Sequence, residues 1–393
     1  MSKFSVPVCR VASVEDHPNA DRLSIVMLEG LGWVCISAKL EDGCHRYKVG
    51  DLCVYIPSAA LLPEWLLKEM GFWNEEKNVG MLSGSNGNRV KALKLRGVFS
   101  EGLLYPVREH RLLPHLETGW GYITDANGES CKVFPGMDVA EILGITKYEP
   151  PIPVAMAGEV ANVSEAATNY DFERWESVPD IFDENTRVNA VEKAHGSFCL
   201  MQYIPGLNHL EMFGEQGNIT VSSKGLGKQG LVFKNNSNND GNLYVRNLRE
   251  LLDNGFEHNM RAISNTHSNT VIKIYGEIFG GSVQDLKYGT NSPEFRVFDV
   301  QIGKQFLTRR DAEIVCRELE LEMLPVLYSG PFDLDAIVKV RDGKTMIGGD
   351  NIREGVVVTC ADGGYHSSHG RKICKFISPA YLTRSNKDAT EFQ

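Results

Sequence analysis

Arg187-Val188-Asn189-Ala190-Val191-Glu192-Lys193-Ala194-His195-Gly196-Ser197-Phe198-Cys199-Leu200-Met201-Gln202-Tyr203 decides how the rest of this chain reads. Apolar residues alternate on both sides of a short break, which predicts two β-strands joined by a turn. Lys193 falls where the first strand ends. Gly196 has no Cβ, so backbone and a phosphate can approach closely there. The run presents a lysine as a nucleophile toward a nucleotide phosphate. Taken alone, it is a weak pattern, and a surface lysine in an ordinary hairpin is the default.

Partners follow downstream in a consistent order. They are Val221-Ser222-Ser223-Lys224-Gly225, Ile274-Tyr275-Gly276-Glu277-Ile278-Phe279-Gly280 and Phe295-Arg296-Val297-Phe298-Asp299-Val300. Arg353-Glu354-Gly355-Val356-Val357-Val358 and Lys372-Ile373-Cys374-Lys375-Phe376-Ile377-Ser378 complete the set. With Lys193 and Gly196, these stretches resemble motifs I, Ia, III, IIIa, IV and V of the covalent nucleotidyltransferases, the superfamily of ATP-dependent RNA and DNA ligases and capping enzymes. His195, where DNA ligases and capping enzymes usually carry aspartate, is similar to the nick-sealing RNA ligases.

The resemblance implies a chemistry and its residues. Lys193 would take AMP from ATP as a phosphoramidate. A lysine amine has an ordinary pKa of about 10.4, so burial and nearby cations must disfavour its charged form. Lys375, Lys372 and a divalent metal, Mg²⁺ or Mn²⁺, would supply positive charge and stabilise the α-phosphate oxygens. The same resemblance gives Glu277 a ribose contact, Phe298 the stack on adenine and Glu354 the metal, which prefers oxygen. Glu192 would read the adenine amino edge. Lys224 stands where many relatives carry arginine.

Motif V departs from the family's pattern of two lysines at i and i+2. Lys372 and Lys375 are three apart, which on a regular strand points them to opposite faces. Either a bulge turns both inward, or Ile373 takes the first position. On Ile272 to Phe279, alternation puts Lys273, Tyr275, Glu277 and Phe279 on one face, with Ile272, Ile274 and Ile278 on the other.

At 393 residues, with 42% hydrophobic and 23% charged residues, the chain is long enough for two domains of ordinary soluble composition. No stretch reaches the roughly 18 apolar residues of a membrane span, and no signal-peptide core opens the chain. Nine scattered cysteines without a CxxC pair read as reduced thiols, hence a cytoplasmic protein. A net charge of −10 leaves room for only a local basic groove. Lys224, Lys228, Lys234, Arg246, Arg249, Arg309 and Arg310 are its candidates.

The expected fold class is α+β: an N-terminal OB-like β-barrel (1–148), a linker (149–166) and an adenylyltransferase domain of antiparallel sheets with helices, in the manner of ATP-grasp folds (167–393). Short strands with Gly and Asn turns predict a five-stranded barrel in the first part. His17 to Leu23 and Leu95 to Leu103 resemble OB modules that bind tRNA-like RNA. An OB module in front, with only a short tail after Lys375, is similar to one branch of RNA ligases. Glu149-Pro150-Pro151 and the small residues after it predict the linker. The expected function is ATP-dependent sealing of 3′-hydroxyl/5′-phosphate nicks by a monomer acting on RNA or RNA-containing duplex ends. DNA ligation, GTP-dependent capping and an inactive RNA-binding relative are the alternatives.

Other signals carry milder readings. Gly225-Leu226-Gly227-Lys228-Gln229-Gly230 matches GxGxxG, but Leu231-Val232-Phe233 after it reads as strand, so a turn is the better account. Cys360, His366, His369 and Cys374 match no common zinc spacing and read as a loop between motifs IV and V. Lys234 to Gly241 reads as a mobile polar loop. Arg22, Arg96 and Arg108 read as solvated surface before RNA contacts.

Overall fold

A computed structural model describes residues 4–109, 119–149 and 152–384. The chain divides into two compact units, Met1–Glu149 and Pro150–Gln393.

The first unit is built on β1 (Val8–Asp16), β2 (Leu23–Leu28), β3 (Val34–Ala38), β4 (Leu52–Ile56) and β5 (Leu103–Pro106), ordered β5-β4-β1-β2-β3. A register shift between Val11 and Ser13 bends β1, so its start pairs with β4 and its remainder with β2. The barrel then closes on itself. Glu101 N donates to the Val34 carbonyl at 3.1 Å, and Ile36 N donates to Ser100 Oγ at 2.9 Å. Helix α1 (Glu64–Glu69) plugs one end with Leu66 and Leu67. Leu93–Leu95 forms a hairpin with Val98–Ser100. That hairpin is tied to the 17–22 turn by a 2.9 Å bond from Asn19 Nδ2 to the Arg96 carbonyl.

In the second unit, β6 (Arg187–Lys193) is followed by β7 (Ser197–Tyr203), β8 (Ile219–Ser223), β9 (Ile272–Gly280), β10 (Pro293–Ile302) and β11 (Gln305–Phe306). The chain continues through β12 (Val326–Pro331), β13 (Gly355–Cys360) and β14 (Ile373–Ile377). Two antiparallel sheets result, of order β8-β7-β9-β10-β11 and β12-β6-β13-β14. Alternation gives each sheet an outer and an inner face. Ile272, Ile274 and Ile278 face outward into a core with α2 (Leu243–Asp253), α3 (Phe256–Thr266) and α4 (Arg309–Glu318). Val188, Ala190, Val356, Val358 and Phe376 of the second sheet pack with Ile337 of α5 (Leu334–Arg341). Asn242 caps α2 by accepting from Tyr244 N and Val245 N, and Thr308 caps α4 from Asp311 N.

The inner faces meet over aromatic residues. Leu200 and Tyr275 of one sheet and Ile373 of the other enclose Tyr170, with Phe172, Phe198, Phe298 and Phe306 around it. Tyr170 comes from the stretch before β6 and is stacked on Tyr275, ring centroids 4.6 Å apart.

Three expectations need correcting. The stretch expected as a linker is largely packed: Val160–Asn162 pairs with Leu231–Phe233, and Ala161, Val163 and Ala166 are buried with Ile204 and Val232. Pro150 and Pro151 fall outside the described residues. The polar 234–241 loop is pinned, since Asn239 Nδ2 donates to the carbonyls of Glu159 and Lys234 at 2.9 and 2.8 Å. A one-turn helix, Lys224–Lys228, lies within the GxGxxG stretch, and the strand Leu231–Phe233 follows it.

Candidate active site

Lys193 is the last residue of one sheet and Ser197 the first of the other, so the turn between them is where the chain changes sheets. Backbone contacts hold this turn. The Tyr288 hydroxyl accepts from His195 N at 2.6 Å, and Gln284 Nε2 donates to the Gly196 carbonyl at 2.7 Å. A Cβ at Gly196 would lie 2.2 Å from the Ile278 carbonyl oxygen and 2.9 Å from Glu277 Cγ. No side chain fits there.

Lys193 Nζ donates to Glu354 Oε1 at 2.7 Å, and its side chain is 28% exposed. Burial pulls the amine pKa down, but the carboxylates of Glu354 and Glu277 outweigh it and hold the pKa above the ordinary lysine value. The amine is therefore held as a cation. This differs from the expectation of an amine held uncharged, because the two acids lie closer in effect than the surrounding cations. Glu277 is pushed up to about 8 by burial, with Glu354 adding to the shift and Lys193 opposing it.

Lys375 lies opposite Val357 in the β13–β14 register, on the inner face. Burial, then repulsion from Lys193, Lys224 and Arg174, brings it down to about 8. Lys224 opens its short helix and pairs with Asp171 at 3.0 Å. Arg174 forms a parallel bridge with Lys375, and Lys375 N donates to the Glu173 carbonyl at 3.0 Å. Sequence reasoning missed Arg174 and Asp171. Their one signal was the polar-aromatic run Tyr170-Asp171-Phe172-Glu173-Arg174, too short to separate from loop.

Two expected site residues are placed elsewhere. Lys372 precedes β14, and its Nζ lies 3.5 Å from Thr186 Oγ1 and 3.7 Å from Asp183 Oδ2, away from Lys193. Ile373 takes the inner position two before Lys375 and is buried against Tyr170 and Tyr275. Of the two alternatives for motif V, the structure has the isoleucine. Glu192 alternates with Lys193, so it points to the other face of β6. Its carboxylate accepts from Thr345 Oγ1 at 2.5 Å and from Met346 N at 2.8 Å, with Arg353 Nε at 3.6 Å. That side chain anchors the 342–352 loop and is not open to a base.

Phe298 is half-buried, 5.5 Å from the Tyr170 ring and 5.8 Å from Phe198, and also packs on the cluster of Val191, Ala194 and Phe279 under the Lys193–Ser197 turn. Its neighbour Asp299 accepts from the Tyr170 hydroxyl at 2.7 Å and pairs with Arg371.

Among the described residues no group of three or more His, Cys, Asp or Glu side chains is arranged to hold a metal. His366 and His369 stack on each other and turn toward Asp180, while Cys374 lies in the core on the other side. A magnesium site of the kind completed by substrate phosphates needs only one or two carboxylates. Glu354 fits it: its Oε2 is buried and, among the described residues, has no hydrogen-bond partner.

Comparison with known proteins bears on the family and the fold. Residues 186–377 match the RNA ligase family model, and residues 5–107 match an OB-fold domain model. The second unit belongs to the RNA ligase family. The fold as a whole is similar to Naegleria gruberi RNA ligase solved with PPi: TM-score 0.66, 22% identity, covering 97% of this chain and 98% of that one. A mutant of that ligase with ATP and Mn gives a TM-score of 0.67 at 22% identity over 96% and 98% of the two chains. No curated protein matches. The α+β class, with an OB-fold module ahead of a ligase unit, is as the sequence leads one to expect. No helix among the described residues is long and apolar enough to cross a membrane.

Proposed function

We propose that this RNA ligase uses ATP to seal 3′-hydroxyl/5′-phosphate nicks through a lysyl-AMP intermediate on Lys193. The observation that carries the reading is the convergence of Lys193, Glu354, Glu277, Lys375 and Lys224 at the change of sheets. The similar Naegleria ligase has been solved with ATP and Mn and with AMP and Mn, which supports ATP and a divalent cation here.

The Lys193 nitrogen attacks the α-phosphorus, the bond to pyrophosphate breaks, and the amine loses its proton. Before that, Glu354 must release the amine. Lys375, Lys224 and Arg174 then disfavour the ammonium form and neutralise the phosphate oxygens. Glu354 would hold Mg²⁺ or Mn²⁺, which when bound adds positive charge at the phosphates. Glu277, protonated below about pH 8, offers a hydrogen bond to the ribose. Phe298 gives the base an apolar face. An oxygen of the RNA 5′-phosphate next attacks the same phosphorus and breaks the P–N bond, returning the amine. The 3′-hydroxyl finally attacks the 5′-phosphate and expels AMP.

Incubating the protein with α-labelled ATP and Mg²⁺, then with nicked duplexes carrying ribose or deoxyribose at the 3′-hydroxyl, tests each stage. Label is expected on wild type and none on Lys193→Ala, with sealing confined to ribose ends. Label surviving on Lys193→Ala refutes the nucleophile. Adduct from GTP alone, or sealing of DNA ends only, moves the protein to capping or DNA ligation.

A further inference from the structure

Three side chains from outside the nucleophile turn close on His195. Asp285 Oδ1 lies 2.5 Å from His195 Nε2, and the Tyr381 hydroxyl lies 2.8 Å from Nδ1. Arg384 Nε donates to Asp285 Oδ2 at 3.1 Å, and its guanidinium sits over the Tyr381 ring at 3.7 Å. The side chains of His195 and Asp285 are 5% and 1% exposed.

The chemistry of the array is directional. Burial alone would raise the Asp285 pKa, but the bonds from His195 and Arg384 outweigh it and hold the carboxyl well below its usual range. An ionised carboxylate only accepts, so His195 Nε2 carries a hydrogen. The other edge of the ring is thereby fixed. Nδ1 faces Tyr381 and stands 3.9 Å from Glu354 Oε2, the oxygen without a hydrogen bond among the described residues. The opposite oxygen of that carboxylate grips Lys193. A buried array of this kind carries a desolvation cost that apolar packing would avoid, so stability alone does not explain it.

We propose that Asp285, braced by Arg384, is a positioning residue for adenylyl transfer: it locks the His195 ring against Glu354 and so fixes the carboxylate that governs the Lys193 amine. The short helix Pro379–Leu382, with Arg384 just after it, thereby belongs to the active site. The inference rests on Lys193 being the nucleophile and adds that the segment after motif V sets its partner.

The test is single-turnover transfer of label from α-labelled ATP to Asp285→Asn, Arg384→Gln, His195→Ala and the Asp285→Asn/His195→Ala double variant, with KM for ATP and Tm measured alongside. Asp285→Asn should slow transfer about 10–100-fold with KM nearly unchanged, as losses of supporting side chains do. Arg384→Gln should slow it less and covers the case in which Asp285→Asn fails to fold. In the His195→Ala background, Asp285→Asn should add nothing, because it acts through that ring. Wild-type rates in both single variants, or losses that multiply in the double variant, overturn the inference. Wild-type protein that takes no label overturns the nucleophile reading and this inference together.

Discussion

Lys193 and Glu354 lie 161 positions apart in the chain and share a 2.7 Å hydrogen bond. The pair holds the amine charged. On the proposed reading, whatever draws Glu354 away arms Lys193.

Glu354→Gln should therefore move two measurements in opposite directions. Transfer of AMP from ATP should fall by about 10²–10³-fold, the usual cost of losing an electrostatic group at a reacting phosphate. Labelling of Lys193 by a neutral amine-reactive reagent at pH 8, followed by peptide mapping, should rise because the amine loses its main anionic partner.

Lys372 and Lys375 should separate cleanly. Lys375→Ala is expected to cost adenylylation about 10²–10³-fold, since that cation lies beside Lys193 and Lys224. Lys372→Ala, whose amine faces Asp183 and Thr186, should stay within about twofold of wild type. Equal losses in the two variants would return Lys372 to the site.

Phe298 is to be tested by size and shape. Base stacking on an aromatic ring is worth about 1–3 kcal/mol by alanine substitution, so Phe298→Ala should raise KM for ATP by about 5–150-fold. Phe298→Tyr should keep it near wild type. An unchanged KM in Phe298→Ala would make the ring core only.

Glu277 makes stability depend on pH in a definite direction. Its folded pKa, about 8, is above the ordinary carboxyl value, so the folded state holds a proton that the unfolded chain releases. That contribution is complete below about pH 4.5 and is lost as pH rises toward 8. Lys375 runs the other way at higher pH: its folded value of about 8 lies below the ordinary lysine value, so stability recovers above pH 8. In metal-free buffer, Glu277→Gln should gain Tm relative to wild type between pH 5 and 8, and a gap independent of pH would contradict this assignment.

The sequence exposes those parts of the site in which spacing alone carries the geometry. Lys193 and Gly196 are legible because a strand, a turn and a strand leave one place for the lysine. Lys375 and Glu354 are legible because each precedes a short apolar run on a neighbouring strand. Glu192 shows the opposite case: strand alternation already puts it on the far face from Lys193, and the family resemblance led past that signal. Arg174, Tyr170 and Asp171 were not legible, because the stretch before β6 reaches β14 and β9 only through tertiary packing. The same holds for Asp285 and Arg384, which meet across 99 positions. The small residues after Pro153 read as linker because burial of Ala161 and Ala166 follows from what packs over them, and composition does not report that.

Gly196 has a steric corollary. With a carbonyl oxygen 2.2 Å from where any methyl would stand, even alanine forces the peptide chain apart at the crossing. The position before it carries histidine, whereas this one site admits a lone hydrogen. How closely the two sheets approach at this crossing is thus set by an atom the sequence leaves out.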